Sequence, residues 1–256
     1  MYRREWVALC TIVVREVRRF TRIWMQTLLP PVITMMLYFV IFGNLIGTRL
    51  GQMRGVDYVQ FIVPGLIMMA VITNAYSNVA SSFFSNKFQR CIEEMLVAPV
   101  SPFTILLGFV AGGVARGVSV GVLVTVLSLF FTALPLNHIA VTVLTVVLTA
   151  TLFATGGLIN ALFARKFDDI SIVPTFILTP LTYLGGVFYS IELLPDFWQG
   201  VSLVNPIVYM VNAFRYGLIG ISDVSISHSI WMMVLFNVVL LGLALYLLKR
   251  GVGIKQ

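Results

Sequence analysis

The sequence predicts an all-α membrane protein that crosses the bilayer several times. Of its 256 residues, 59% are hydrophobic and 11% are charged, and the mean hydropathy is +0.98. Soluble domains carry about 45–50% apolar and about 25% charged residues. The charge deficit extends along the whole chain, which excludes a soluble protein, a disordered chain and a single anchor on a soluble domain. The net charge of +7 is accompanied by too little polar surface for nucleic-acid binding.

Six segments are long and apolar enough to cross a bilayer. A helix needs about 20 apolar residues to span a hydrocarbon core roughly 30 Å thick. The longest uncharged stretch is divided at Pro135, because Pro and the Asn that follows favour a turn. The predicted transmembrane helices are 28–47, 60–84, 104–133, 139–163, 170–189 and 227–248.

The N-terminal segment, 1–26, is predicted to be an amphipathic helix that lies in the interface of the cytoplasmic leaflet. Its apolar residues recur at three- and four-residue spacing: Trp6, Leu9, Cys10, Val13, Val17, Phe20 and Trp24. Its basic residues include Arg15, Arg18, Arg19 and Arg22. An apolar stripe opposite a basic side is typical of interfacial helices. The alternative is that the arginines only set the topology.

The connection 86–102 is the longest on the predicted cytoplasmic side. An apolar stripe is formed by Phe88, Ile92, Met95 and Leu96, and the prolines at 99 and 102 end the helix. A short helix of mixed charge that faces the cytoplasm suits docking to a soluble partner. By periodicity alone, a plain loop helix fits equally well.

The third span carries glycines at a regular spacing. Gly113, Gly117 and Gly121 are four residues apart, so they share a face on which another helix can approach closely. Arg116 lies beside this face. An intramembrane arginine must face the interior, pair or snorkel, and the position of Arg116 favours snorkelling over a substrate contact.

Prolines interrupt the stretch between the fifth and sixth spans. Pro195 and Pro206 divide the segment 195–216 into two short pieces, and Arg215 lies at its end. A broken helix is tolerated where protein or water surrounds the backbone. The pattern therefore favours a re-entrant helical pair over a seventh crossing.

The distribution of basic residues predicts the orientation. Lys and Arg accumulate on the cytoplasmic side of short loops. Thirteen lie in the N-terminal segment, the second and fourth connections and the tail, whereas three lie in the alternate loops. Both termini are therefore predicted to be cytoplasmic, as an even number of spans requires.

Several chemical signatures are missing from the sequence. None of the ten acidic residues falls inside a predicted span, which argues against a proton-coupled carrier. Asp168 and Asp169 are interpreted as a helix start, not as a metal or catalytic site. No Gly-Lys dipeptide occurs, so the sequence has no P-loop, and an ATP-driven role would need a separate ATPase.

Two groups of residues resemble the permease subunits of type-2 ATP-binding cassette (ABC-2) exporters. The first is Glu93-Glu94-Met95-Leu96-Val97-Ala98-Pro99-Val100-Ser101, in the second connection. The second comprises Gly186-Val187-Phe188-Tyr189, Leu194-Pro195, Asn205-Pro206, Tyr209 and Arg215. With the six spans, the resemblance covers nearly the whole chain. One departure is Arg90-Cys91, where many relatives have Gly-Thr.

The resemblance implies that 1–256 is a single transmembrane domain of a bacterial inner-membrane exporter, without enzymatic activity or a cofactor of its own. Two copies, expected to form a homodimer in membrane lipid, would assemble with two cytoplasmic P-loop ATPases that bind ATP and Mg²⁺. The N-terminal helix and the connection would contact the ATPase, the latter through Arg90, Glu93, Glu94, Met95, Leu96, Pro99 and Ser101. Closure of the ATPases would then switch the dimer from inward- to outward-facing.

The resemblance also places Pro195, Asn205, Pro206, Tyr209 and Arg215 in a re-entrant segment near the outer mouth. A secondary carrier or channel without an ATPase is the alternative function. The substrate is left open, because apolar spans suit lipid-like, glycan-lipid and hydrophobic drug cargo equally well.

Overall fold

The chain is mostly helical. The computed structural model describes residues 2–253, except for the side chains of residues 2, 44, 45, 48, 50 and 96. In chain order, the helices are α1 (Tyr2–Arg22), α2 (Trp24–Thr27), α3 (Leu29–Tyr38), α4 (Gly47–Leu50), α5 (Tyr58–Phe88), α6 (Cys91–Val97), α7 (Pro102–Ser128), α8 (Ile139–Phe163), α9 (Asp169–Val173), α10 (Thr179–Tyr183), α11 (Asp196–Val204), α12 (Pro206–Ile219) and α13 (Ile226–Arg250). Wider π-helical turns occupy Phe39–Ile46 and Pro174–Leu178, and a 3₁₀ turn occupies Ile191–Leu193.

The long helices run between two ends of a bundle. The terminal end holds the start of α1, the helix α6 and the last turns of α5, α8 and α13. The opposite end holds the connections α4–α5, α7–α8 and α12–α13.

Helix α5 forms the centre of the bundle. Its side chains are buried along most of its length, against α7, α8 and α12. Phe61, Leu66 and Phe83 are fully buried at successive levels of this helix. Because lipid is as apolar as these side chains, close packing and not removal from water holds membrane helices together, and α5 contributes such packing along most of its length.

Five helical segments within residues 2–253 are long and apolar enough to cross a membrane. They are Trp24–Gly43, Tyr58–Phe88, Pro102–Ser128, Ile139–Phe163 and Ile226–Arg250. The first is not one regular helix, since Leu28 separates α2 from α3. Pro30 and Pro31 occupy the first turn of α3, where missing N–H groups cost least. The molecule is therefore a multi-pass, mostly helical membrane protein.

The segment predicted as the fifth span, 170–189, is shorter than expected. It consists of three consecutive five-residue pieces, α9, the π-helical turn that starts at Pro174, and α10. At 1.5 Å per residue this length corresponds to about 22 Å, less than the roughly 30 Å of a hydrocarbon core. The helix ends at Tyr183 because Gly185 and Gly186 follow, and Gly186 has φ +69°.

Two further sequence predictions differ from the structure. The helix predicted at 104–133 ends at Ser128, since the amides of Phe130 and Phe131 bond three residues back and tighten the chain into a turn. The prediction that all regular structure is helical missed a small antiparallel hairpin, β1 (Gln52–Met53) with β2 (Val56–Asp57). Positive φ at Arg54 and Gly55 closes its turn.

Candidate functional site

The connection between α5 and α7 forms a sharp corner and a short helix. Arg90 stands at the corner with φ +63°, and its amide donates to the Lys87 carbonyl at 3.0 Å. Helix α6 then begins at Cys91. Its Ile92 side chain is fully buried in the bundle, so α6 is anchored by its inner face.

The outer face of α6 combines charge with exposed apolar surface. Glu93 and Glu94 are exposed, Met95 is partly buried and Pro99 is exposed after the helix. Val97 is 88% exposed, and Phe88, just before the corner, is 65% exposed. The backbone of Leu96 belongs to α6, but its side chain lies outside the described residues. This surface of α6, with Phe88, is called the α6 surface below.

Glu5 fastens the start of α1 to the start of α7. Its carboxylate accepts hydrogen bonds from the Ser101 amide at 3.0 Å and from the hydroxyls of Ser101 and Thr104. Ser101 also caps α7, since its Oγ accepts from the Thr104 amide at 3.2 Å. The Thr104 bond lowers the pKa of Glu5 most strongly; desolvation opposes it, and the two Ser101 bonds lower the pKa further.

Lys87 fastens the end of α5 to the end of α8. Its Nζ donates to the Leu162 carbonyl at 2.6 Å and to the Ala164 carbonyl at 2.7 Å. These carbonyls have no partner within α8, and an ammonium there also complements the helix dipole. Lys87 therefore joins the last turn of α5, next to the α6 corner, to the end of α8.

Helix α1 packs lengthwise on α7. Its buried side chains are Ile12, Glu16 and Phe20. At Gly108 and Gly112 of α7 an added Cβ would lie 2.6 Å from Ile12 Cγ2 and 2.5 Å from Glu16 Cβ. This second glycine face was missed by the sequence analysis, although its four-residue spacing was visible.

Only part of the predicted apolar stripe of α1 packs against the rest of the bundle. Phe20 is buried, but Trp6 is 66% exposed and Trp24 is 50% exposed. Arg15, Arg18 and Arg22 are also exposed, and Arg19 is half-buried. Ile12 and Glu16, which the stripe did not include, fill the contact because α7 offers glycines there. A position of α1 in the interface stays a prediction.

Polar side chains of α5 receive two charged residues of α1. Asn78 and Ser82 lie one turn apart on α5. The Ser82 hydroxyl donates to Glu16 Oε1 at 2.7 Å, and Arg19 Nη2 donates to Asn78 Oδ1 at 2.8 Å. Arg19 also pairs with Glu16 at 3.3 Å. The sequence analysis placed Glu16 outside the spans and did not anticipate its burial within the bundle.

Arg116 is paired inside the bundle, which corrects the snorkelling interpretation. Its Nη2 donates to Asn74 Oδ1 at 3.1 Å and to the Thr27 carbonyl at 3.2 Å. Asn74 belongs to α5 and Thr27 to α2. Asn74 lies one turn before Asn78 on α5, toward the opposite end of the bundle. Hydrogen bonding replaces the solvation that a guanidinium loses away from water.

The glycines at 113, 117 and 121 lie where α7 meets α5 and α8. An added Cβ at Gly113 would lie 2.8 Å from Ala154 Cβ, and one at Gly117 would lie 3.0 Å from Ala75 Cβ. At Gly121 the nearest atom would be a Val71 methyl at 2.8 Å.

Asn205 and Pro206 separate the two helices of the 195–216 segment. Asn205 Oδ1 accepts from the Ile207 amide at 3.0 Å and caps α12, while its Nδ2 donates to the Leu181 carbonyl at 2.6 Å. Pro206 occupies the first position of α12, as Pro195 precedes α11. The Tyr209 hydroxyl donates to the Leu203 carbonyl at 2.6 Å and holds the two helices together.

Arg215 is the most deeply buried charge of this segment. It is 1% exposed, its Nη2 donates to the Gly186 carbonyl at 2.6 Å, and its Cζ lies 3.9 Å from the centroid of the Phe61 ring. Its Nη1 lies 3.6 Å from Asp223 Oδ2.

Arg54 extends this ion pair to the β-hairpin. Its Nη1 lies 3.1 Å from Asp223 Oδ1, and its Nη2 pairs with Glu192. Sequence reasoning missed this cluster of four charges, named the opposite-end cluster below. The signal was available, since Arg54 and Arg215 were two of the three basic residues that the topology rule left on that side.

Asp169 is engaged at the start of α9. Its Oδ2 accepts hydrogen bonds from the amides of Arg165 at 2.7 Å and Lys166 at 3.0 Å. Over residues 2–253 no group of three or more His, Cys, Asp or Glu residues is arranged to hold a metal ion.

Comparison with known proteins identifies the class. Residues 7–219 match the ABC-2 type transporter family, and the chain therefore belongs to that family of transport permeases. The chain is 61% identical over 251 residues to the inner membrane transport permease YadH of Escherichia coli (strain K12), with 98% of each chain covered. It is 22% identical over 216 residues to Nodulation protein J of Rhizobium leguminosarum bv. trifolii, covering 84% of this chain and 82% of the relative. The predicted family is confirmed, and the chain is a multi-pass inner-membrane permease.

Proposed function

We propose that the chain is the permease subunit of an ATP-binding cassette exporter that forms the substrate pathway as a dimer and is driven by a separate cytoplasmic ATPase. The observation that supports this most directly is the α6 surface. It exposes Phe88 and Val97 beside two carboxylates, at the bundle end where most basic residues lie. An apolar and charged surface of this kind suits a soluble partner protein.

The mechanism follows from how α6 is attached. It is buried through Ile92 and joined to α5 and α7 by connections of a few residues. A displacement of α6 by the ATPases would therefore reach α5 and α7 together, and Glu5 would carry it to α1. The ATPases would bind ATP and Mg²⁺, and this chain would contribute no catalytic residue.

The proposal includes a crossing of the membrane by the segment Asp169–Tyr183, which would bring the five candidate spans to six. The segment runs from the terminal end, where Asn160 Nδ2 donates to the Ile170 carbonyl at 3.2 Å, to the opposite end, where the Tyr183 ring stacks on Phe188. With six crossings both termini lie on one side, and the basic residues make that side the cytoplasm.

The re-entrant character of α11 and α12 is supported by the opposite-end cluster. Glu192 precedes the pair and Asp223 follows it, yet both pair with Arg54. The segment between them therefore leaves and returns at the same end of the bundle. We also infer that α1, with its exposed Trp6 and Trp24, lies in the cytoplasmic interface.

Transport without an ATPase is the second candidate, and one observation favours it. Glu16 is a buried carboxylate, 1% exposed, of the kind used in proton-coupled carriers. However, its two oxygens are already engaged by Ser82 and Arg19 within the bundle, which does not suit a site that exchanges protons with a transport pathway.

The test is the isolation of the tagged full-length protein from its own membranes in mild detergent. A P-loop ATPase is expected to co-purify with the wild type and to be lost from Glu93→Lys, which reverses a charge of the α6 surface. Asp196→Lys, an equal reversal at the start of α11, serves as the control and is expected to retain the ATPase. Absence of an ATPase from the wild type, or its full retention by Glu93→Lys, contradicts the proposal.

A further inference from the structure

A groove with a volume of about 1,090 Å³ lies between α1 and the last turns of α5. Four of its lining residues are the arginines of α1 at positions 15, 18, 19 and 22. Asn86 of α5 faces them from the other wall. The groove lies at the level of the contacts that α1 makes with Ser82 and Asn78, between the terminal end and Arg116.

The groove has an excess of positive charge. Glu16 is the one acidic residue that lines it, and its carboxylate is already occupied by Ser82, Arg19 and Arg15. Within residues 2–253, Arg18 and Arg22 have no acidic partner. Four guanidinium groups against one carboxylate give a net positive charge that a bound anion would balance.

The guanidinium groups of the groove are accessible to an anion. Arg18 and Arg22 are exposed, and Arg19 is half-buried with its Nη2 bonded to Asn78 Oδ1. Phosphate oxygens bond guanidinium groups in a bidentate manner, so a phosphate group would bind several of these side chains at once.

Apolar surface continues from the groove along the first membrane span. Val14 and Ile23 line the groove and are 47% and 43% exposed. The exposed apolar residues then continue over α2 and α3 as Trp24, Met25, Leu29, Ile33, Met36 and Leu37. A soluble anion would leave this surface unused, whereas a ligand with an anionic head and apolar chains would cover both parts.

We propose that this groove binds the phosphodiester headgroup of an anionic phospholipid from the surrounding leaflet, with the acyl chains along Ile23 and the exposed face of α3. The phosphate would lie between Arg18, Arg19 and Arg22, and it would join α1 to α5 at a second point besides the Glu16 contact. The net positive charge selects an anionic headgroup over a zwitterionic one. Binding of this lipid requires neither an ATPase nor a second copy of the chain.

The test measures lipid binding by the purified full-length permease alone. Mixed micelles contain either phosphatidylglycerol or phosphatidylcholine, and a third arm contains inorganic phosphate without phospholipid. Bound lipid is counted by native mass spectrometry, and thermal unfolding reports the stabilisation. The variant pair is Arg18→Gln with Arg22→Gln, and the control pair is Arg3→Gln with Arg4→Gln, which removes equal charge from exposed positions of α1 outside the groove.

The wild type is expected to retain phosphatidylglycerol in preference to phosphatidylcholine. The groove pair is expected to weaken that binding about 30-fold, roughly fivefold for each arginine, and the control pair less than about threefold. Equal losses in both pairs, no headgroup preference, or equal stabilisation by inorganic phosphate would overturn the proposal. Should the groove pair not purify, Arg22→Gln alone is measured against Arg4→Gln with the same criteria. Because no ATPase is present, a negative result here leaves the exporter proposal to its own test.

Discussion

Arg90 holds a left-handed backbone conformation that residues other than glycine adopt at a cost. That conformation turns the chain from α5 into α6, so the residue acts through its backbone at the corner. The resemblance to ABC-2 permeases implies that many relatives have glycine at this position. The sequence could show the departure, but only the backbone shows why glycine suits the position.

We expect Arg90→Gly to keep or raise the stability of the permease and Arg90→Val to lower it. The left-handed conformation costs about 1–2 kcal/mol for an L-residue, more for a β-branched one, and nothing for glycine. Part of the gain in Arg90→Gly is offset by the greater backbone entropy of glycine in the unfolded chain. Thermal unfolding in detergent measures both variants, and an unchanged Arg90→Val protein would contradict the strain at this corner.

Glu5 makes the attachment of α1 sensitive to acid. Its hydrogen bonds with Thr104 and Ser101 lower its pKa from the ordinary 4.5, so the ionised form is favoured in the folded state. A lowered carboxyl pKa contributes stability above the unfolded pKa and loses it as the pH falls through the folded one. The attachment is therefore expected to be complete above the ordinary pKa of 4.5 and to be lost as the pH falls through the lower pKa of the folded state.

Hydrogen exchange of the α1 amides measures this attachment. Protection of the first turns of α1 should decrease between pH 5 and pH 3, after correction for intrinsic exchange. In Glu5→Gln it should be low throughout and independent of pH. A wild-type protein whose α1 protection is the same at both pH values would show that Glu5 does not fasten the helix.

At the scale of helices, α1 is held by the glycines of α7. We expect Gly112→Leu to displace α1, since even a Cβ would lie 2.5 Å from Glu16 Cβ. Overpacking of this kind costs about 1–3 kcal/mol. Gly242→Leu on α13, where no atom lies within 4 Å of an added Cβ, is the matched control.

Thermal unfolding and hydrogen exchange of α1 compare the two leucine variants. A lower unfolding temperature and lost protection are expected for Gly112→Leu alone. Equal behaviour of the two proteins would mean that α1 does not depend on close approach to α7.

The opposite-end cluster connects the β-hairpin, α12 and two loops through one carboxylate. We expect Asp223→Ala to destabilise the protein by about 3–5 kcal/mol, because Arg215 would remain as a buried charge without its partner. Glu192→Ala removes an exposed partner of Arg54 and should cost about 0–1 kcal/mol. Chemical denaturation of both variants gives the difference, and similar small losses would show that Asp223 does not stabilise this end.

The sequence predicted helices better than their contacts. Long apolar runs without charge indicate where α5, α7, α8 and α13 lie, since their length and composition suffice. The 170–189 prediction was too long because apolar residues continue past Tyr183 while Gly185 and Gly186 end the helix. The packed face of α1 could not be predicted from α1, because Ile12 and Glu16 are selected by gaps on α7.

The sequence identified the segments of the candidate site but not the residues that those segments contact. The motif around Glu93 and the Asn205-Pro206 pair marked the two segments that the structure places at opposite ends of the bundle. Glu5, Glu16 and Asp223 went unnoticed because each acts through a residue far away in the sequence. No local pattern encodes such pairs.

At the scale of the whole molecule, α6 and the opposite-end cluster lie at the two ends of one helical bundle. Helix α5 joins them, from Tyr58 next to the hairpin to Phe88 beside the corner. Under the exporter proposal, movement imposed at α6 would reach the other end through this continuous helix. The exporter proposal depends on this transmission more than on any single side chain.

The most direct test is a distance between the two α6 helices in an assembled complex of permease and ATPase. Val97, 88% exposed, is replaced by a spin-labelled cysteine after Cys10 and Cys91 have been changed to serine. Pulsed electron resonance then compares the nucleotide-free complex with one trapped by ATP and vanadate. The account predicts that the distance between the labels changes on trapping, as the closing ATPases displace both α6 helices. An identical distance in the two states would contradict it.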